Sequence, residues 1–143
     1  MTNREEIIGY DVEAVESWIN ENTEGLEPPF EWVLLVGGHS ILTYALTDPN
    51  GSRAVVRRPP MGELLPKAHD MGREFSIISG LGPTAVPVPI AYGYCESAEV
   101  TGAHFYVMSQ VDGKALVALA EAVEYLTEDA RARVGASFMD VLA

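Results

Sequence analysis

Residues 32–58 read WVLLVGGHSILTYALTDPNGSRAVVRR. Val33 to Val36 is apolar and partly β-branched, a composition that suits a strand. Gly37-Gly38 interrupts it, as a backbone does where it must turn or approach a ligand closely. Ile41 to Leu46 resumes the strand pattern and carries the strand formers Thr43 and Tyr44. Asp48-Pro49-Asn50-Gly51 is a turn, because proline pre-sets φ at one corner and Asn or Gly accepts a positive φ at the next. Ala54 to Arg57 closes a three-stranded meander whose last strand ends on a cation.

On the amino-terminal side, Asp11 is placed to cap a helix in which Val12, Val15, Trp18 and Ile19 share a face, and Asn22 to Gly25 ends it. Leu26 to Phe30, with Pro28-Pro29, links that helix to the meander. On the other side, Pro59-Pro60-Met61-Gly62 ends the third strand, since proline has no N–H for a sheet ladder. The spacing predicts a helix over 68–80 with Met71, Phe75 and Ile78 on one face, Ile77 beside them, and Arg73 and Glu74 at its middle. Gly82-Pro83 stops it. Val86 to Tyr94 predicts a strand interrupted by prolines, and Ala103 to Ser109 a strongly apolar one. Asp112-Gly113 breaks the chain before a helical segment over 114–125. Thr127 then caps a last helix whose apolar face is Val134, Phe138 and Val141 or Leu142. The order gives an α+β fold: a five-stranded antiparallel sheet, one helix inserted after the third strand, and helices at both ends.

The 143 residues are 48% hydrophobic, enough for one domain with a core of its own. Acidic residues outnumber Lys and Arg by 21 to 9, so the net charge of −12 argues against nucleic acid and anionic membranes as partners. An anionic ligand therefore needs a locally positive pocket, and Arg53, Arg57 and Arg58 form the dense basic cluster of the first hundred residues. Cys95 is single, which excludes an internal disulfide and fits a reducing, cytoplasmic setting. The first residues carry no apolar core of signal-peptide length, and no stretch approaches the ~18 apolar residues of a membrane span.

A glycine loop between strands, followed by a strand ending in a cation, is how one kinase-like class holds ATP phosphates. The same residues also read as an ordinary hairpin turn and as solvated edge charges. Strand alternation puts Arg57 and Arg58 on opposite faces, so one at most faces a phosphate, and Arg57 is assigned that role. His39, His69 and His104 lack the spacing of metal ligands, and Cys95 reads as a small buried hydrophobe. Trp18, Phe105 and Met108 read first as core residues.

Four segments carry a resemblance: GGHSILTY (37–44), AVVRRPPMGELLPKAHDMGREF (54–75), GPTAVPVP (82–89) and FYVMSQVDG (105–113). With them the chain resembles the N-terminal lobe of the aminoglycoside phosphotransferase-like family, which shares the protein-kinase fold. It is similar in particular to kinase-like enzymes that occur alone in actinobacteria or fused to long acyl-CoA dehydrogenases. The resemblance implies that Gly37, Gly38, His39 and Ser40 form the loop over the β- and γ-phosphates. It implies that Arg57 contacts the α- and β-phosphates and that Glu74 pairs with Arg57. It implies that Ser109, Gln110 and Val111 form the hinge whose backbone binds adenine, with Met108 just before it, and that Asp112-Gly113 opens the passage to a second lobe. Ile41 stands where relatives often carry Asn, and Arg57 where kinases carry Lys. A planar, bidentate guanidinium suits both phosphate and carboxylate.

The division this implies is a nucleotide-binding lobe over 1–113, made of a helix and linker (1–30) and the sheet with its inserted helix (31–113), followed by the start of a helical lobe over 114–143. The family's His-Gly-Asp loop and its metal-binding Asp are not found in the sequence. The expectation is thus an ATP-binding lobe of a small-molecule phosphotransferase, with no catalytic or metal-binding residue of its own and no turnover alone. Mg2+ and a hydroxyl acceptor, such as an aminoglycoside or a hydroxyacyl compound, are expected only for a longer parent. The alternative is a non-catalytic nucleotide-binding or protein-interaction module of the same fold. The stripe Val134, Phe138, Val141 and Leu142 is expected to be covered, by the sheet or by self-association with a second copy.

Overall fold

The computed structural model describes residues 7–35, 41–62, 69–116 and 118–143. Its elements are α1 (Val12–Asn22), β1 (Glu31–Leu34), β2 (Leu42–Thr47), β3 (Arg53–Arg58), α2 (Met71–Leu81), β4 (Ala91–Cys95), β5 (Phe105–Ser109), α3 (Leu119–Tyr125) and α4 (Glu128–Leu142). The five strands form one antiparallel sheet in the order β1-β2-β3-β5-β4. The chain divides into two compact units, residues 1–110 and 111–143.

Two carboxylates fix the frame. Asp11 caps α1, its Oδ1 accepting from the Ala14 N–H at 3.1 Å. Asp48 shapes the turn between β2 and β3, its Oδ1 accepting from the Asn50 and Ser52 N–H groups at 2.9 and 2.8 Å. Burial alone would raise the pKa of Asp48, but N–H donors from Ser52, Glu27 and Asn50 outweigh it and hold the carboxyl below its usual value.

Pairing register sorts the strands into two faces. Tyr44 lies opposite Val56, Val56 opposite Val107, Leu46 opposite Ala54, and Phe105 opposite Cys95. These residues form the core together with Val12, Val15 and Ile19 of α1 and with Ile7, Tyr10, Leu26 and Phe30. Glu16, buried in mid-helix, ties α1 to the sheet by accepting from the Phe30 N–H and the Trp32 indole N–H at 3.1 and 3.0 Å. The other face carries two rows: Thr43, Arg57, Tyr106 and Tyr94, and beside it Ala45, Val55 and Met108.

Five boundaries differ from the sequence expectation. The first strand runs Glu31–Leu34, four residues with Trp32 alone turned into the core, and Val36 lies outside the described residues. The helix expected from residue 68 begins at Met71, because Asp70 caps it and His69 sits at φ 56°, outside helical space. The strand expected from Val86 begins at Ala91, since Pro87 and Pro89 have no N–H to give a ladder. The one expected from Ala103 begins at Phe105. The helix expected from Lys114 begins at Leu119, because extended Ala118 stops any helix entering from before it. Thr127 caps α4 as expected, accepting from the Ala130 N–H at 3.2 Å. The apolar stripe of α4 forms, and within the single chain Phe138 is 62% exposed. Among the described residues no helix is long and apolar enough to cross a membrane.

Candidate functional site

Strand β3 is central, flanked by β2 and β5, and its last two residues are cations turned to opposite faces. Arg58 points into the α1 side and is 5% exposed. Its Nη1 donates to the carbonyls of Gly9 and Thr101, its Nε donates to the Pro59 carbonyl, and its guanidinium lies 5.8 Å from the Tyr10 ring centre. Burial lowers its pKa below the usual guanidinium value. Arg58 is thus a buried clamp that joins the start of the chain, the end of β3 and the β4–β5 turn.

Arg57 faces the other way. Its Nη1 lies 3.2 Å from Glu74 Oε2 and donates to the Tyr106 hydroxyl at 3.0 Å. That hydroxyl in turn donates to Glu74 Oε2 at 3.0 Å. The expected Arg57–Glu74 pair is therefore formed, with the side chains 27% and 32% exposed. Because α2 starts at Met71, Glu74 falls in its first turn rather than its middle, where the helix dipole favours a carboxylate. Phe75 steadies the helix by packing against the rings of Tyr94 and Tyr106, at 5.8 and 6.0 Å between centres.

The Tyr106 phenol is pushed up to about 12, chiefly by burial, against the pull of Arg57 and with help from the bond to Glu74. The fold prefers the neutral phenol. Its contribution is fully present below the unfolded value of 10.0 and is lost as pH rises through about 12. Alkaline unfolding of the chain is expected to steepen between those values, and Tyr106→Phe is expected to flatten that step. Tyr10, also raised by burial, leaves a residual slope in the variant. Identical pH profiles for the two proteins would contradict this.

The expected hinge lies within the described residues. Met108 lies opposite Val55. The Ser109 N–H donates to the Ile90 carbonyl at 2.8 Å, its Oγ accepts from the Ile90 N–H, and the Gln110 N–H reaches the Arg53 carbonyl at 3.4 Å. Val111 is exposed and begins the second unit. Gly37, Gly38, His39 and Ser40 lie outside the described residues. His104 Nδ1 is 2.9 Å from the Tyr94 hydroxyl, and Cys95 is buried with its thiol pKa raised by that burial. Tyr106 was not singled out from the sequence. Alternation along β5 separates it from Phe105 and Val107, but its place opposite Arg57 follows only from the β3–β5 register.

A five-stranded antiparallel sheet with a strand-end cation bonded to the carboxylate of an inserted helix is the amino-terminal portion of a kinase-like fold. The profile of APH, the phosphotransferase enzyme family, matches residues 31–143, and the chain belongs to that family. It is similar to acyl-CoA dehydrogenase family member 11 of Rattus norvegicus, 37% identical over 110 residues, and of Homo sapiens, 34% identical over 109. It is also similar to the probable acyl-CoA dehydrogenase IBR3 of Arabidopsis thaliana, 32% identical over 115 residues. These matches take in 73%, 73% and 76% of the chain but only 14% of each relative's length. Among solved structures it resembles one from Ralstonia eutropha provisionally named an aminoglycoside phosphotransferase, with TM-score 0.63 and 31% identity over 75% of this chain and 30% of that one.

Proposed function

We propose that residues 1–110 are the ATP-binding lobe of a phosphotransferase that delivers the γ-phosphate to a hydroxyl of a small molecule. The observation that carries this reading is the Arg57–Glu74 pair, set on the same sheet face as Val55 and Met108. Adenine suits the apolar row Ala45, Val55 and Met108, and the phosphates suit the guanidinium one rung along. Gly37 to Ser40 would contact the phosphates, and the backbone of Ser109 and Gln110 would meet the adenine edge. Among the described residues no three His, Cys, Asp or Glu side chains are grouped to hold a metal. Mg2+ belongs to the same proposal, and only for a longer parent. The acceptor class, a small alcohol such as an aminoglycoside or a hydroxyacyl compound, belongs to the same proposal.

An NMR titration tests it. ATP should shift the resonances of Val55, Arg57, Met108 and Gln110 with affinity in the millimolar range, roughly −4 kcal/mol. Arg57→Ala should weaken ATP about tenfold, the value of one charge-assisted contact, and leave adenosine unchanged. Resonances that ignore ATP throughout this face would overturn the reading.

A further inference from the structure

The guanidinium of Arg57 is held at two points, and the two differ in kind. Glu74 holds it from α2, whose described contacts with the sheet on this face are made by side chains, chiefly Phe75 and Glu74 itself. Tyr106 holds it from β5, whose backbone pairs with β3 along Ala54 to Arg57. A hydroxyl carried by the neighbouring strand keeps its position relative to Arg57 when a helix tilts. Both contacts use Nη1, and among the described residues no hydrogen bond of Arg57 uses Nε or Nη2. That leaves a planar two-donor edge, the part of a guanidinium that matches a phosphate.

We propose that Tyr106 is a positioning residue that fixes the plane of Arg57, so that its Nε–Nη2 edge faces the phosphates of a bound nucleotide. The inference rests on the ATP-binding reading. Glu74 and Tyr106 act in parallel: the carboxylate supplies charge, and the phenol supplies direction.

The test compares the full chain with Tyr106→Phe, which keeps the ring beside Phe75 and removes only the hydroxyl. The first readout is the order of the Arg57 Nε–H resonance in the isotope-labelled, unliganded protein. It is expected to fall in the variant to that of a solvated arginine, although Glu74 is intact. The second readout is binding of ATP against adenosine. ATP should weaken about five- to tenfold while adenosine binds as before, a split that a purely structural role would not produce. An Arg57 as ordered in Tyr106→Phe as in the parent would overturn the positioning role, whatever ATP does. Equal losses for ATP and adenosine would also overturn it. If the parent chain does not distinguish the two ligands, the ATP-binding reading falls and takes the phosphate half of the inference with it. The Arg57 resonance alone then decides whether Tyr106 orients the side chain.

Discussion

Phe105→Ala is expected to destabilise the protein by about 3–5 kcal/mol. The ring is fully buried, and it meets Trp18 of α1 edge-on with centres 5.0 Å apart. It stands opposite Cys95 on a strand flanked by β3 and β4, so no neighbour can collapse into the space without disturbing the ladder. Domains of this size are stable by only about 5–15 kcal/mol, so the loss would remove a large share of the total. Urea denaturation followed by tryptophan fluorescence measures it, with Trp18 itself as the reporter. A loss below about 1 kcal/mol would mean that α1 does not contribute the packing described here.

Arg58→Ala is expected to cost about 2–4 kcal/mol, and clearly more than Arg57→Ala. Removing the Arg58 guanidinium takes a charged donor from the carbonyls of Gly9, Thr101 and Pro59, of which Gly9 keeps only a long bond from the Thr101 hydroxyl. Hydrogen bonds to a charged group are worth about 1.5–3 kcal/mol, and an orphaned buried acceptor costs about 1–3. Arg58→Lys should recover only part of the loss, because an ammonium cannot reproduce the fork that reaches three carbonyls. Arg57 is partly exposed, so solvent screens its pairing with Glu74 and its removal should cost about 1 kcal/mol or less. Melting curves of the three variants decide the order. Equal losses for the two alanine variants would contradict the assignment of one arginine to structure and the other to a ligand.

Much of this fold can be read from local signals. Asp11 before Val12, Asp48 within its Pro-Asn-Gly turn, and Thr127 before the last helix act within a few residues of their own position, and each forms as expected. Alternation separated Arg57 from Arg58 for the same reason. What local pattern cannot carry is pairing between distant segments. Strand β5 inserts between β3 and β4, and that choice alone brings Tyr106 to Arg57. Nothing local marks Glu16 as buried; it is buried because Trp32 and Phe30 supply donors from another segment. Arg58 read equally well as an edge charge, because the carbonyls that solvate it come from residues 9 and 101. The β-branched and apolar content of Val86 to Ile90 suggests a strand, but the two missing N–H groups of its prolines delay β4 to Ala91.

The relation between shared sequence and folding unit follows from where α1 sits. The family profile begins at residue 31. Yet Ile7, Tyr10, Val12, Val15, Ile19, Leu26 and Phe30 all precede it, and all are buried against the sheet. The backbone of Gly9 takes one arm of Arg58, and the Tyr10 hydroxyl donates to the Leu42 carbonyl. The start of the family match and the start of the packed unit therefore fall in different places. The matched part of the chain supplies a sheet with one finished face and one raw apolar face. Residues 7–30 are the lining sewn onto the raw side, and a domain border drawn at the start of the match would cut along that seam.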